Sequence, residues 1–173
     1  MNERELIKNF FEKERGFMLF NPKTIAMLQQ EIKKIGEDGE KTIYDVVKKN
    51  QKEQMEKVMP LLPGISGAEK AGFDQVSSLL TFGSSLLESA GFGKLSEPKI
   101  DMKNKSITGR IKNNPIAKEI VKTYGKSEKP QCTIICGEFA GVAEAIFGTK
   151  MKCIEKKCFC CGDRYCEFEV NPV

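Results

Sequence analysis

The chain has 173 residues, of which 40% are hydrophobic and 30% charged, and its formal net charge is +4. This composition argues against a disordered or low-complexity chain and fits one globular domain. The sequence contains seven cysteines and no histidine. Histidine-dependent nucleophile systems and histidine-ligated metals are therefore excluded, so any metal must be bound mainly by Cys, Asp or Glu.

The termini and the charge pattern predict a cytoplasmic protein. The first residues, MNEREL, are charged and do not resemble the apolar region of a secretory signal. No segment approaches the ~20 apolar residues that a membrane span requires. In this compartment, cysteines indicate metal binding or reactive thiols and not a disulfide framework. Because the positive charge comes almost entirely from lysine, we expect no nucleic-acid partner. Because no segment is apolar enough to span a bilayer, we expect no membrane partner either.

The first half of the chain has a helical pattern. An amphipathic helix is predicted over residues 3–13, and the apolar run 17–20 follows as a strand or a loop that enters the core. Asn21 is the expected N-cap of the next helix, with Pro22 at its first position, and this helix runs to about Ile35.

Two longer helices follow, over 40–58 and over 68–88. The first is broken by Pro60 and by the Pro-Gly pair at 63–64.

The second half alternates between strand and helix patterns. A β-hairpin is predicted from 99–102 and 106–111, and Asn114-Pro115 starts a short helix. A buried helix over 132–147 leads to a second hairpin, whose strands over 151–159 and 165–170 are joined at Gly162-Asp163. The predicted fold class is α+β: N-terminal helices, then a hairpin, helices and a second hairpin, with an antiparallel sheet packed on the helices.

The cysteines are concentrated at the C-terminal end. All of them follow Gln131, and they are Cys132, Cys136, Cys153, Cys158, Cys160, Cys161 and Cys166. By spacing, Cys158 and Cys161 could form half of a zinc or cluster site, and Cys153, Cys158, Cys161 and Cys166 could bind an iron–sulfur cluster. Several could instead be small buried hydrophobic residues. Cys132 is expected at a helix N-terminus, where the helix dipole favours the thiolate.

These residues resemble a known family, the V4R (4-vinyl reductase) domain. The resemblance is carried by Cys132, by Gly137-Glu138-Phe139-Ala140-Gly141, by Glu155-x2-Cys158, by Gly162-Asp163 and by Cys166-x-Phe168-x-Val170. In that family the domain occurs alone in archaea, in a protein linked to chlorophyll precursor reduction, and as the sensory part of bacterial activators that respond to aromatic compounds.

The resemblance implies a zinc site made by Cys132, Glu155, Cys158 and Cys166. Four protein ligands leave no position for a catalytic water, so the zinc is expected to be structural and to fasten the second hairpin to the Cys132 helix. The sequence departs from the family pattern by adding Cys136, Cys153, Cys160 and Cys161. Cys161 could therefore replace Glu155 or Cys166 as a ligand.

The resemblance also implies a domain division and a function. We expect residues 1–16 to be a helical extension and residues 17–173 to form a single V4R-like domain of the stand-alone archaeal type. The expected function is binding or sensing of a small apolar or aromatic molecule, in a homodimer that passes its response to a separate partner. The 3–13 helix is a candidate dimer surface.

Two alternatives remain. One is a reductase or reductase accessory subunit that acts on vinyl groups and could contain an iron–sulfur cluster, although the chain has no nucleotide-binding glycine loop. The other is a scaffold similar to subunits of trafficking complexes.

Two further patterns have a packing explanation. Four phenylalanines could line an apolar pocket, but core packing is the favoured role for each of Phe73, Phe82, Phe139 and Phe147. Gly137-x3-Gly141 is expected to permit close helix packing, and Glu138 to be exposed or hydrogen-bonded.

Overall fold

A computed structural model of the chain describes residues 21–61 and 92–173, together with residues 76, 77, 80, 81, 83–85 and 88. The predicted helix over 3–13, the apolar run 17–20 and the Pro-Gly pair at 63–64 lie outside the described residues. So do Phe73 and Phe82. The described residues between 76 and 88 are helical, in agreement with the helix predicted there.

Two helices form the first described unit. Helix α1 spans Pro22–Lys33, and its N-cap is Asn21, whose side chain accepts a hydrogen bond from the Thr24 amide at 2.8 Å. Helix α2 spans Glu37–Val58 and continues into a 3-10 turn, Met59–Leu61. It begins three residues before the predicted start at 40 because its acidic first turn suits the positive end of the helix dipole.

The two predicted hairpins form one antiparallel sheet. Its strands are β1 (Lys94–Asp101), β2 (Ser106–Lys112), β3 (Met151–Lys157) and β4 (Cys166–Pro172), in the order β1-β2-β4-β3. Strand β1 begins earlier than the predicted residue 99. It can include Pro98 because it is an edge strand with an irregular register between Ser96 and Lys99. Strand β3 ends before the predicted 159 because a 3-10 turn begins at Phe159.

Two helices follow the first hairpin and cover the sheet. Helix α3 spans Pro115–Tyr124, with Asn114 as its N-cap, and helix α4 spans Thr133–Phe147. Helix α4 ends at Gly148, which adopts a left-handed conformation with φ of 62°. The packing of α4 against α2 leaves no room for a side chain at two positions of α4, Gly137 and Gly141.

The close contact of α2 and α4 depends on two glycines. A Cβ atom at Gly137 would lie 2.9 Å from the backbone oxygen of Tyr44, and one at Gly141 would lie 2.5 Å from that of Lys48. The prediction that Gly137-x3-Gly141 permits close helix packing is therefore confirmed.

The core lies between α4 and one face of the sheet. Strand residues alternate between the two faces, and the inward positions of the central strands carry Ile107, Ile111, Phe168 and Val170, all of them buried. Helices thus pack on an antiparallel sheet, and the α+β prediction is confirmed. In the described ranges, no helix is long and apolar enough to cross a membrane.

Candidate metal centre

Four potential ligands converge where the N-terminus of α4 meets the second hairpin. Cys132 is the N-cap of α4, Glu155 lies on an inward position of β3, Cys158 follows that strand, and Cys166 begins β4. One ligand atom from each residue lies within 4.8 Å of the others. The structure therefore brings together the four residues named by the V4R resemblance, and this group can hold a metal ion.

The sulfur atoms are close to one another and shielded from solvent. Cys132 Sγ lies 3.7 Å from Cys166 Sγ and 4.0 Å from Cys158 Sγ. All three cysteines are at most 1% exposed. Three polarizable sulfur atoms facing a common point provide a donor set that suits zinc and other thiophilic metals.

The pKa of Cys132 is shifted in the direction opposite to the one that the helix dipole favours. The hydrogen-bonding sulfurs of Cys158 and Cys166, with burial, raise the pKa of Cys132 well above its usual value. The pKa of Cys158 is lowered instead, because Cys132 and other neighbouring thiols hydrogen-bond its sulfur. The helix dipole at Cys132 is thus outweighed by the crowding of sulfur atoms, and the cluster favours one thiolate that neighbouring thiols stabilise.

Glu155 has one paired and one unpaired carboxylate oxygen. Its Oε2 accepts a hydrogen bond from the Cys132 amide at 2.9 Å, whereas its buried Oε1 has no hydrogen-bond partner among the described residues. Burial, with the negative charge of Cys158, raises the pKa of Glu155 to about 8. An unpaired buried carboxylate oxygen is costly, and a bound cation would satisfy it. The cluster therefore fits a metal ion by its donor atoms and by this orphaned oxygen.

Backbone and side-chain N–H groups surround the three sulfurs. Asn114 Nδ2 lies 3.4 Å from Cys132 Sγ and 3.6 Å from Cys166 Sγ. The backbone amide of Gln131 points to Cys158 Sγ at 3.5 Å, and that of Phe159 points to Cys166 Sγ at 3.4 Å. Hydrogen bonds of this kind stabilise negative charge on metal-ligating sulfur.

The turn between β3 and β4 holds Cys158 in place. The side chain of Asp163 accepts a hydrogen bond from the Cys158 amide at 2.8 Å. Gly162, with φ of 99°, has a left-handed conformation that closes the 3-10 turn Phe159–Cys161. The interpretation of Gly162-Asp163 as turn residues is confirmed.

The other four cysteines lie outside the four-residue cluster. Cys160 is buried and its sulfur donates to the Ala117 carbonyl oxygen at 3.5 Å, whereas Cys161 is exposed. The neighbouring thiol of Cys153, together with burial, raises the pKa of Cys136. Among the described residues, the converging ligand atoms therefore include neither Cys153 nor Cys161. The structure thus forms neither the four-cysteine iron–sulfur arrangement nor the Cys158-x2-Cys161 half-site that the spacing allowed.

An open cleft of about 540 Å³ borders the cluster on its Glu155 side. Its walls include Tyr44, Cys132, Cys136, Cys153 and Glu155. The Tyr44 hydroxyl accepts a hydrogen bond from the Cys153 amide at 2.9 Å, which ties edge strand β3 to helix α2. Two residues of the four-residue cluster, Cys132 and Glu155, thus also line this cleft.

The remaining predicted residues lie apart from the cluster. Phe139 stacks on Phe168 with ring centroids 5.1 Å apart, and both are buried, as is Phe147. Phe139 and Phe147 therefore serve the core, as expected. Glu138 is half-buried, and burial raises its pKa to about 7.

Two functional contacts were not predicted from the sequence. Asn114 was recognised only as a helix start, because an Asn-Pro pair indicates an N-cap but not what lies beside it. Gln29 is 1% exposed; its Nε2 donates to the Gln131 carbonyl oxygen and its Oε1 accepts from the Ile134 amide at 3.1 Å. Gln29 thereby ties α1 to the residues around Cys132, and no local pattern in α1 indicates this.

Fold and site together define an α+β domain with a buried Cys/Glu cluster that can hold a metal. Residues 110–172, which contain this cluster, match the V4R domain family. The resemblance to the V4R family seen in the sequence is therefore confirmed for this C-terminal part of the chain. No curated protein matches the sequence significantly.

Several solved structures share the fold. The phenol-responsive sensory domain of the transcription activator PoxR, solved with phenol, has a TM-score of 0.73 at 14% identity, over 99% of this chain and 90% of that one. A trafficking protein particle complex subunit 3 from Naegleria fowleri, covalently bound to palmitic acid, has a TM-score of 0.60 at 16% identity, over 88% of this chain and 95% of that one. A vinyl-4-reductase family protein from Methanocaldococcus jannaschii has a TM-score of 0.54 at 20% identity, over 98% of this chain and 91% of that one.

Proposed function

We propose that the chain is a small-molecule-binding sensory domain whose C-terminal hairpin is fastened by a structural zinc ion. The observation that carries the zinc part is the convergence of four ligand atoms within 4.8 Å, one of them contributed by a glutamate with an orphaned buried oxygen. Cys132, Glu155, Cys158 and Cys166 would hold the ion.

The chemistry of the cluster favours zinc in a structural role. Zinc accepts sulfur and carboxylate ligands in tetrahedral sites, and four protein ligands complete its coordination without a water molecule. The sulfurs are at most 1% exposed. The ion would join the N-terminus of α4 to both strands of the second hairpin, and its binding free energy would then add to the stability of the fold.

The ligand is proposed to be small and apolar or aromatic. The support is the V4R domain in residues 110–172, together with the likeness to a sensory domain that was solved with phenol. We further propose that the protein is a cytoplasmic homodimer in which residues 17–173 form one domain, and that a separate partner receives the response.

Metal analysis combined with native mass spectrometry of the purified protein tests the metal and the oligomeric state. The proposal expects a colourless protein with one zinc per chain and a dimeric mass. Brown protein that contains iron would contradict the structural zinc and support the reductase accessory alternative. Protein that takes up no metal even when zinc is supplied would contradict the metal site.

Ligand binding is tested separately with phenol as the probe. Phenol should raise the melting temperature of the zinc-loaded protein in a concentration-dependent way, because a ligand that binds only the folded state stabilises it. Cyclohexanol, which has a similar size but no aromatic ring, is the matched control compound. An equal response to both compounds would contradict an aromatic preference, and no response to either would contradict the proposed ligand class.

A further inference from the structure

We propose that Asn114 is a positioning residue of the metal centre, which hydrogen-bonds two of the ligand sulfurs while it caps helix α3. This inference rests on the proposed metal site. Asn114 is 1% exposed and lies between Cys132 and Cys166 on one side and the start of α3 on the other.

The orientation of the Asn114 amide follows from its backbone partners. Its Oδ1 accepts hydrogen bonds from the amides of Ile116 at 3.1 Å and Ala117 at 3.2 Å. Both partners are N–H donors, so the oxygen must face them and the NH2 group must face the sulfurs. The two Nδ2 hydrogens are then directed to Cys132 Sγ at 3.4 Å and Cys166 Sγ at 3.6 Å.

The N–H groups of Asn114 would offset the negative charge of a metal-loaded site. Three thiolates and one carboxylate around a divalent cation leave a net charge of about −2 in a buried position, and N–H donors stabilise such charge. The donors to Cys158 Sγ and one of the donors to Cys166 Sγ are backbone amides. In the part of the chain that the structure describes, Asn114 is the only side chain that donates an N–H to these sulfurs.

Asn114 also couples the metal to the position of a helix. An N-cap interaction stabilises a helix by about 1 kcal/mol. The same side chain spans the cap of α3 and two sulfurs that belong to α4 and β4. Metal binding should therefore order the start of α3, because the cap side chain is fixed from both ends.

The chain contains a matched control for this residue. Asn21 also precedes a proline and caps a helix, since its Oδ1 accepts from the Thr24 amide at 2.8 Å. Unlike Asn114, Asn21 is exposed, and among the described residues its side chain hydrogen-bonds Thr24 and none of the cluster sulfurs. A substitution at Asn21 therefore changes an N-cap without removing a donor to sulfur.

The experiment compares three variants of the full chain: Asn114→Ser, Asn114→Asp and Asn21→Ser. Serine caps helices as well as asparagine does. Aspartate keeps the volume and the cap acceptor but replaces the NH2 group by an oxygen that does not donate when ionised. Metal-free protein is titrated with Co²⁺ and with Zn²⁺ in competition with a chromophoric chelator at pH 7.5.

Both Asn114 variants should bind metal about 10- to 100-fold more weakly than the wild-type chain, and Asn21→Ser should bind as tightly as the wild type. The sulfur-to-cobalt charge-transfer band should move to longer wavelength in both Asn114 variants, because thiolates without an N–H donor release charge more easily. A role in packing alone would not move this band.

Three results would overturn the inference. These are wild-type affinity in both Asn114 variants, weaker binding only in the smaller Asn114→Ser, or an equal loss in Asn21→Ser. Failure of the wild-type chain to bind Co²⁺ or Zn²⁺ is a different result, since it contradicts the metal site itself.

Discussion

Two buried glutamates mark opposite ends of the contact between α4 and β3. Glu144 lies near the C-terminus of α4 and Glu155 near the end of β3, and each is 8% exposed. Each carboxylate also accepts one backbone hydrogen bond across the contact: Glu144 from the Met151 amide at 3.0 Å, and Glu155 from the Cys132 amide at 2.9 Å.

The two carboxylates differ in their cations. Lys48 Nζ lies 2.8 Å from Glu144 and Lys52 Nζ lies 3.9 Å from it, whereas Glu155 forms no ion pair within the described ranges. Burial alone would raise both pKa values, but the lysines and the Met151 amide lower the pKa of Glu144, and the pKa of Glu155 rises to about 8. At equal exposure and with one backbone donor each, the two carboxylates differ in their charged neighbours, which are the lysines beside Glu144 and Cys158 beside Glu155. Glu155 is thus the carboxylate for which a metal ion would take the place of a lysine.

The largest expected effect comes from removing a sulfur ligand beside Glu155. Cys166→Ser should release the metal and markedly lower the melting temperature, because the binding free energy of a structural zinc contributes to folding. Metal content and calorimetric unfolding of the purified variant measure both effects. Cys161→Ser, which changes an exposed cysteine outside the cluster, is the control and should leave both unchanged. If metal content and melting temperature persist in Cys166→Ser, the ligand set is wrong.

The second test exchanges the two glutamates for their neutral isosteres. Glu155→Gln should weaken zinc binding by at least tenfold, since a neutral amide is a poorer zinc ligand than a carboxylate. Glu144→Gln is the matched control and should bind zinc as the wild type does, because its carboxylate is paired with Lys48. Chelator competition measures both affinities. Equal affinities in the two variants would show that Glu155 is not a ligand.

The sequence predicted much of this architecture because the signals are local. Asn-Pro pairs mark the starts of α1 and α3, alternation marks the strands of both hairpins, and Gly148 marks the end of α4. The V4R motif then grouped the four cluster residues, which spacing alone left among several alternatives.

Long-range contacts decided what local signals could not. Whether Glu155 or Glu144 receives a cation depends on the packing of α2 against α4, which places Lys48 at one end only. The sulfur contacts of Asn114 depend on how the start of α3 packs on Cys132 and Cys166. The raised pKa of Cys132 has the same origin, since it reflects neighbours that come from the second hairpin.

The third test uses a glycine substitution to disturb the Glu144 end of the contact between α4 and β3 while leaving the Glu155 end unchanged. A Cβ atom at position 141 would lie 2.5 Å from the Lys48 backbone oxygen, so Gly141→Ala should push α2 away from α4 and disturb the Lys48–Glu144 pair. We expect a loss of about 1–3 kcal/mol in the free energy of unfolding, which is typical of overpacking. Denaturant unfolding of the zinc-loaded protein measures it, and zinc affinity should stay within threefold of the wild type.

Gly83→Ala is the control for the glycine substitution. Gly83 is also helical, and a Cβ atom there would meet no atom of the described residues within 4 Å. This variant should be neutral or more stable by about 0.5–1 kcal/mol, because alanine favours a helix over glycine. A similar stability change in both variants would contradict the close approach of α2 and α4.

The smallest expected effect is the pH dependence of the Lys48–Glu144 pair. Because the folded-state pKa of Glu144 is lowered from its usual value of 4.5, its ionised form stabilises the folded state above that pH. The contribution should disappear as the pH falls through the lower folded-state pKa. Lys48 is partly exposed, which limits the contribution to roughly 1 kcal/mol.

The unfolding free energy of the wild type should therefore exceed that of Glu144→Gln by about this amount at pH 7 and approach it at pH 3. In a chain that carries Lys48→Met, the difference in unfolding free energy between glutamate and glutamine at position 144 should be the same at pH 7 and at pH 3, since the nearest cation has been removed. A difference between wild type and Glu144→Gln that is constant over this range would show that the charge of the Glu144 carboxylate does not contribute to stability.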